Sequence, residues 1–184
     1  HLFYWRFFVV LKNFKRKQMA TVTFNGTPVQ LCGELPKVGE AAPKFGGVKG
    51  DLTTVHLPEL IGKKVVLNIF PSLDTPVCAA SVRRFNQEAS TLGDTVVLCI
   101  SKDLPFAQSR FCTTEGLDKV VPLSVFRCRH FDERYGLTIT EGPLKGLLAR
   151  AVLIVDETGK IIYEELVPEI THEPDYETAL KVLR

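Results

Sequence analysis

The sequence has no CxxC pair, no GxGxxG or Walker-type glycine loop, and no histidine spacing suited to a metal. Its four histidines, at positions 1, 56, 130 and 172, are scattered along the chain, so a metal centre has no ligand set. Nucleotide-binding readings fail for want of a glycine loop; GPLKG at 142–146 is only a turn. Neither a metal nor a nucleotide cofactor is therefore expected. Basic pairs at Arg83-Arg84 and Arg127/Arg129 are small and read as solvated faces, not as a nucleic-acid footprint. The apolar run Leu2–Leu11 is far short of the roughly 20 residues that span a bilayer. Stable membrane insertion is not expected, although a membrane-surface helix stays open there.

Five cysteines are too few to staple 184 residues, and the odd number leaves at least one unpaired within the chain. A redox or catalytic use of cysteine starts level with a structural one. The composition, 45% hydrophobic and 24% charged, is that of a globular domain.

The front end differs from the body. Residues 1–18 carry five basic side chains and no acidic one, whereas the remaining 166 carry 18 basic and 21 acidic, a net of −3. The chain's formal +2 thus says nothing about the partners of the folded part. In 1–18 the apolar run precedes the basic cluster, the reverse of a secretory signal. With Met19 the sole methionine, the expectation is an upstream or non-native extension over 1–18 and a single domain over 19–184, in the cytoplasm rather than the periplasm.

Asn25-Gly26 between two short extended runs predicts an N-terminal β-hairpin. Residues 35–50, rich in proline and glycine, read as loop. Strands are expected at 64–70, 95–101, 120–124, 151–155 and 160–166, and helices at 76–90, 104–113 and 173–183, with a helical turn at 131–135. In the 104–113 helix Phe106 and Phe111 supply the apolar side. This order, closing on a strand hairpin, predicts an α/β, thioredoxin-like fold with a central mixed sheet and the N-terminal hairpin as an extension. A flavodoxin-like sheet competes, but it expects parallel crossovers to the end.

The segment 68–85, NIFPSLDTPVCAASVRRF, places Cys78 in the first turn of a helix leaving a buried strand. With Thr75 as N-cap and Pro76 at the first position, Cys78 sits third, where unpaired amides and the positive helix end favour a thiolate. A free thiol with a pKa of ~8.5 is mostly protonated at neutral pH, and helix N-termini lower that value. The position is expected to expose the sulfur beyond the strand's carboxyl edge, with Pro71 stiffening the loop and the Thr75 hydroxyl one turn back. A buried structural cysteine with an ordinary cap fits the spacing equally well. Cys99, inside TVVLCIS, reads as core; Cys32 and Cys128 read as incidental. Cys112 reads as a loosely held, accessible helix end, 34 positions from Cys78, too far for the adjacent pair of a general disulfide exchanger. A bridge between them needs Cα atoms about 4.4–6.8 Å apart, or local unfolding to bring them there.

The pattern Pro71-x3-Thr75-x2-Cys78, with VVLNIFPSLDTPVCAASVRRFN, VVLCISKDLPFAQSRFC and GPLKGLLARAVLIVDETGKI, resembles the atypical two-cysteine peroxiredoxins in their bacterial thiol peroxidase form, from about Met19 to Arg184. The resemblance implies Cys78 as peroxidatic cysteine and Cys112 as resolving cysteine of the same subunit. Thr75 is implied as a hydrogen-bond partner of sulfur and peroxide, Arg150 as support for the thiolate, and Pro71 as part of the substrate-binding loop. It also implies reduction of hydrogen peroxide and organic hydroperoxides, thioredoxin as reductant, no cofactor and a homodimer. Two other readings stand beside it: a general thiol–disulfide oxidoreductase on the same fold, and a non-enzymatic binding protein.

Overall fold

The computed structural model describes residues 19–184; the expectation for 1–18 lies outside them. The chain opens with β1 (Thr21–Phe24) and β2 (Thr27–Gln30), an antiparallel pair joined at Asn25-Gly26, both with positive φ (50° and 78°). Two residues with φ > 0 in succession are what a tight hairpin turn requires. Then come β3 (Gly46–Val48), β4 (Thr54–His56) and a 3-10 turn (Leu57–Leu60). The body follows as β5 (Lys64–Ile69), α1 (Pro76–Ala89), β6 (Thr95–Ser101), α2 (Pro105–Glu115), β7 (Val121–Ser124), α3 (Arg129–Tyr135), β8 (Ala151–Val155), β9 (Ile161–Leu166) and α4 (Tyr176–Leu183).

Seven strands form one mixed sheet in the order β4-β3-β7-β6-β5-β8-β9. β5, β6 and β7 run parallel, joined through helices, while β8 lies antiparallel against β5 and carries β9 as a hairpin. That is the thioredoxin-like arrangement, with the N-terminal hairpin as a separate two-stranded sheet. Alternate residues of the central strands face opposite layers. Leu67, Ile69, Leu98, Ile100 and Leu153 pack with the hairpin and α3; Val66, Phe70, Val97, Cys99, Val152 and Ile154 pack with α1 and α4.

Three expectations are corrected. The segment read wholly as loop, 35–50, contains β3, whose Val48 pairs with Ser124 at the end of β7. Two of its three residues, GGV, are glycine, which strands disfavour. Gly47 is there because any Cβ would lie 2.3 Å from the Leu123 side chain. The buried face of α2 is Pro105, Gln108 and Cys112, whereas Phe106 stands 62% exposed. The expected helical turn at 131–135 begins earlier, as α3, and stops at Gly136 in the left-handed region.

Candidate active site

β5 delivers the chain into a turn, Pro71–Asp74, and α1 starts directly after it. Pro71 is buried. Thr75 takes an extended conformation (φ −102°, ψ 142°) and its carbonyl accepts the first helical bond from Ala79 N at 3.0 Å. It is the N-cap by backbone, as expected, but not by side chain. Its hydroxyl donates backwards to the Ser72 carbonyl at 3.1 Å, bracing the turn. The oxygen's lone pairs are left to accept a further bond.

Cys78 sits third in α1 and is 0% exposed, packed among Phe70, Leu73 and Val82. The expected exposed sulfur is thus a buried one: the first turn of α1 lies against the sheet rather than beyond it. The sulfur's partner is Arg150, whose Nη2 donates to Sγ at 3.3 Å across 72 positions of sequence. Sheet register explains how. β8 pairs with β5 antiparallel, with Ala151 opposite Ile69, so the residue before Ala151 falls at the carboxyl end of β5, where the Pro71 turn begins.

Arg150 is itself 1% exposed. Its Nε donates to the Ile170 carbonyl at 3.1 Å, and its Nη1 is buried with no hydrogen-bond partner. A guanidinium donor left unpaired in an interior is costly and calls for an explanation. The other terminal nitrogen of the same guanidinium carries the bond to Cys78, so the unpaired donor lies close to the sulfur. The segment that anchors Nε is held in turn by the N-terminal hairpin: Ile170 N donates to Thr23 O at 2.9 Å, and Thr23 N to Pro168 O at 2.7 Å. Glu169 accepts from the Thr23 hydroxyl (2.7 Å) and from the Asn25 and Gly26 amides. These donors, the Thr23 hydroxyl foremost, hold its carboxyl far below the usual carboxylate range.

Asp103, between β6 and α2, joins the two cysteine-bearing segments. Its carboxylate accepts from Ser72 Oγ (2.7 Å) and Leu73 N (2.8 Å) in the Pro71 turn, and from Ser101 Oγ (2.7 Å). Ser101 Oγ accepts in turn from Gln108 Nε2 of α2 at 2.9 Å. α1 and α2 are also tied near their surface: Arg83 pairs with Glu115 at 2.8 Å, and Asn86 Oδ1 accepts from Lys119 N.

Cys112 lies in the last turn of α2 and is 8% exposed, not the loose accessible end expected. Gly116, at φ 67°, closes the helix over it. Burial pushes its thiol up from the ordinary value. All five cysteines are free thiols. Cys99 is core, as expected: it is 1% exposed and burial pushes it up to about 12, against the opposing effect of a donor from Asn68.

Thr75, Cys78 and Arg150 are therefore brought to one place with Pro71, and Cys112 occupies the adjacent helix. Reading residue types alone misses Arg150, since an arginine ahead of a strand is more often at the surface. It also takes Asp103 for no more than a helix start, and passes over Ile170. Apart from the family resemblance, the antiparallel register of β8 is the signal that points to Arg150.

A Redoxin family profile matches residues 37–180. Thiol peroxidases of Mycobacterium bovis and Mycobacterium tuberculosis are 53% identical over 165 residues, 90% of this chain and 99% of theirs. Among solved structures, a peroxiredoxin-like protein from Aquifex aeolicus superposes with a TM-score of 0.85 at 43% identity, covering 90% of this chain and 96% of that one. A thiol peroxidase from Chromobacterium violaceum shares the fold, with a TM-score of 0.80 at 24% identity over 89% and 95% of the two chains.

Proposed function

The chain belongs to the Redoxin family as a homologue of thiol peroxidases, and on that premise we propose that it reduces hydrogen peroxide and organic hydroperoxides through a two-cysteine cycle. The observation that carries the reading is the buried Arg150, with one nitrogen on Cys78 Sγ and another unpartnered. A thiolate is the nucleophile of thiol chemistry, and the fixed guanidinium is its counter-charge.

The Cys78 thiolate attacks one peroxide oxygen and the O–O bond breaks. The leaving oxygen takes a proton and departs as water or alcohol, while Cys78 is oxidised to a sulfenic acid. Arg150 Nη1 donates to the peroxide oxygen that gathers charge, and the Thr75 hydroxyl, held at Ser72, accepts from the peroxide O–H. The Cys112 thiol then condenses with the sulfenic acid, releasing water and forming the Cys78–Cys112 disulfide. A reduced dithiol protein of the thioredoxin type supplies two electrons to reopen it.

Both sulfurs are buried on separate helices, and in this reading the bond closes through local release of the Pro71 turn and of α2. A general disulfide exchanger would instead keep two thiols within one exposed turn. Exposed Leu104, Phe106 and Phe126 lie near Asp103 and offer an apolar surface beside the site for a homodimer or for an alkyl hydroperoxide. A transient disulfide of this kind suits the reducing cytoplasm.

The test is peroxide consumption driven by thioredoxin and its reductase. The wild-type protein turns over, Cys78→Ser does not, and Cys112→Ser consumes one equivalent and stalls. Full turnover by Cys78→Ser sinks the reading.

A further inference from the structure

Residues 19–184 carry more acidic than basic side chains, yet one region of the surface gathers basic ones. Lys44, His56, Arg127, Arg129, His130 and Arg134 line a single cleft of about 660 Å³, and no carboxylate lines it. In sequence the Arg127/Arg129 pair reads as a solvated face. The fold sets that pair beside residues some 70 to 80 positions away, from the segments around β3 and β4. Among the described residues, Lys44, Arg127, Arg129 and Arg134 make no ion pair, although His130 lies 3.8 Å from Glu133; Lys37, Lys63, Arg83, Arg84 and Lys102 elsewhere each make one.

The cations are also held in position. Arg134 Nη1 donates to the Lys44 carbonyl at 2.6 Å, leaving the rest of its donor fork unused. The Arg127 guanidinium lies 5.7 Å from the centre of the Phe126 ring. His56 stands opposite Gly46 in the β3–β4 pair, and a Cβ on Gly46 would lie 2.6 Å from its Nδ1, so the ring keeps its seat only because that position is glycine. Between these side chains the lining is apolar: exposed Pro58 and half-buried Cys128 lie over Phe45 and Val48, which are themselves core residues. The volume is that of a small-molecule site, and donors fixed before binding cost less to organise.

We propose that this cleft, separate from Cys78 and Arg150, binds an amphipathic anion: a phosphate or carboxylate gripped by the arginines, with an apolar or aromatic body against Pro58 and Cys128. Guanidinium forks match both kinds of anion, and the apolar wall selects against the bare inorganic ion. Cys128, half-buried on the same wall, reports occupancy.

Calorimetry with 1-naphthyl phosphate and with inorganic phosphate tests this on the full chain. Naphthyl phosphate is expected to bind at about 1 mM or tighter. Inorganic phosphate should bind at least about tenfold more weakly, and so should naphthyl phosphate to Arg127→Gln/Arg129→Gln. Occupancy should slow alkylation of Cys128, followed by peptide mass. Lys44→Gln serves as a second, milder variant, and its peroxide turnover should be unchanged. Equal affinity for the two ligands overturns the apolar half of the proposal. Binding that is absent, or undiminished in both variants, overturns the site.

Discussion

Arg150 Nε donates to the carbonyl oxygen of Ile170 at 3.1 Å, so the guanidinium is pinned at its stem before its far end reaches the Cys78 sulfur. One polar atom of a loop thereby fixes the position of the guanidinium beside the thiol.

Replacing that guanidinium should separate activity from stability. Arg150→Met is expected to slow the reaction with peroxide by roughly a hundredfold or more, the usual loss when a donor to developing charge is removed. Its thermal midpoint should not fall, because a buried, partly unsatisfied cation gives way to a side chain that packs. Arg150→Lys keeps the charge but cannot hold Ile170 and Cys78 at once, and should recover only a small part of the rate. Stopped-flow peroxide kinetics beside thermal melts read both quantities.

Asp103 should act on the two chemical steps with opposite sign. Asp103→Asn puts an NH2 where one carboxylate oxygen accepted hydrogen bonds, loosening the Pro71 turn and the base of α2 together. Peroxide attack is expected to slow several-fold, and disulfide closure to speed up, since closure needs those segments released. Single-turnover kinetics separate the steps, and the variant should resist over-oxidation at high peroxide better than wild type. A slowing of both steps would show that Asp103 serves folding alone.

Cys99 ties stability to alkaline pH. Its thiol is raised from 9.0 to about 12 by burial, so between those values the unfolded chain loses a proton that the folded one keeps. Unfolding free energy therefore falls as pH rises from about 9 to 12. Cys99→Ala should flatten that limb in urea titrations at stepped pH, at the expense of a general loss of about 1–2 kcal/mol for the deleted buried sulfur.

Glu169 acts at the acid end. Its carboxyl lies below the ordinary 4.5, chiefly through the Thr23 hydroxyl and then the Gly26 amide. Its contribution is whole above pH 4.5 and disappears as pH falls through the depressed value. Acid should therefore free the N-terminal hairpin from the 168–171 segment. Hydrogen exchange at the Gly26 amide, taken relative to its intrinsic rate at each pH, is expected to become faster as pH falls below 4.5 in wild type. In Glu169→Gln it should be fast already at neutral pH.

The readable parts of this molecule are the local ones. Pro76 at the first helical position and Cys78 two residues on lie within one turn, so the strand-to-helix junction and its thiol could be read from a dozen residues. The β8–β9 hairpin and the inward face of α4 follow equally from short-range pattern. What escaped was set by distant pairings. Gly46-Gly47-Val48 is a strand only because β7 and Leu123 accept it. The burial of Cys112 depends on where α2 packs, and its own sequence, with Phe106 exposed, suggests another face. Arg150 was legible through family resemblance and not through its neighbours, because its partners are 72 and 20 positions away.

The small sheet of β1 and β2 stands far from the chemistry in sequence, yet Thr23 and the Asn25-Gly26 turn grip the strip of chain that carries Ile170. A nick or an inserted tag at that turn would therefore register as a slower enzyme. Every reacting group would still be present, but the guanidinium would have lost its backstop.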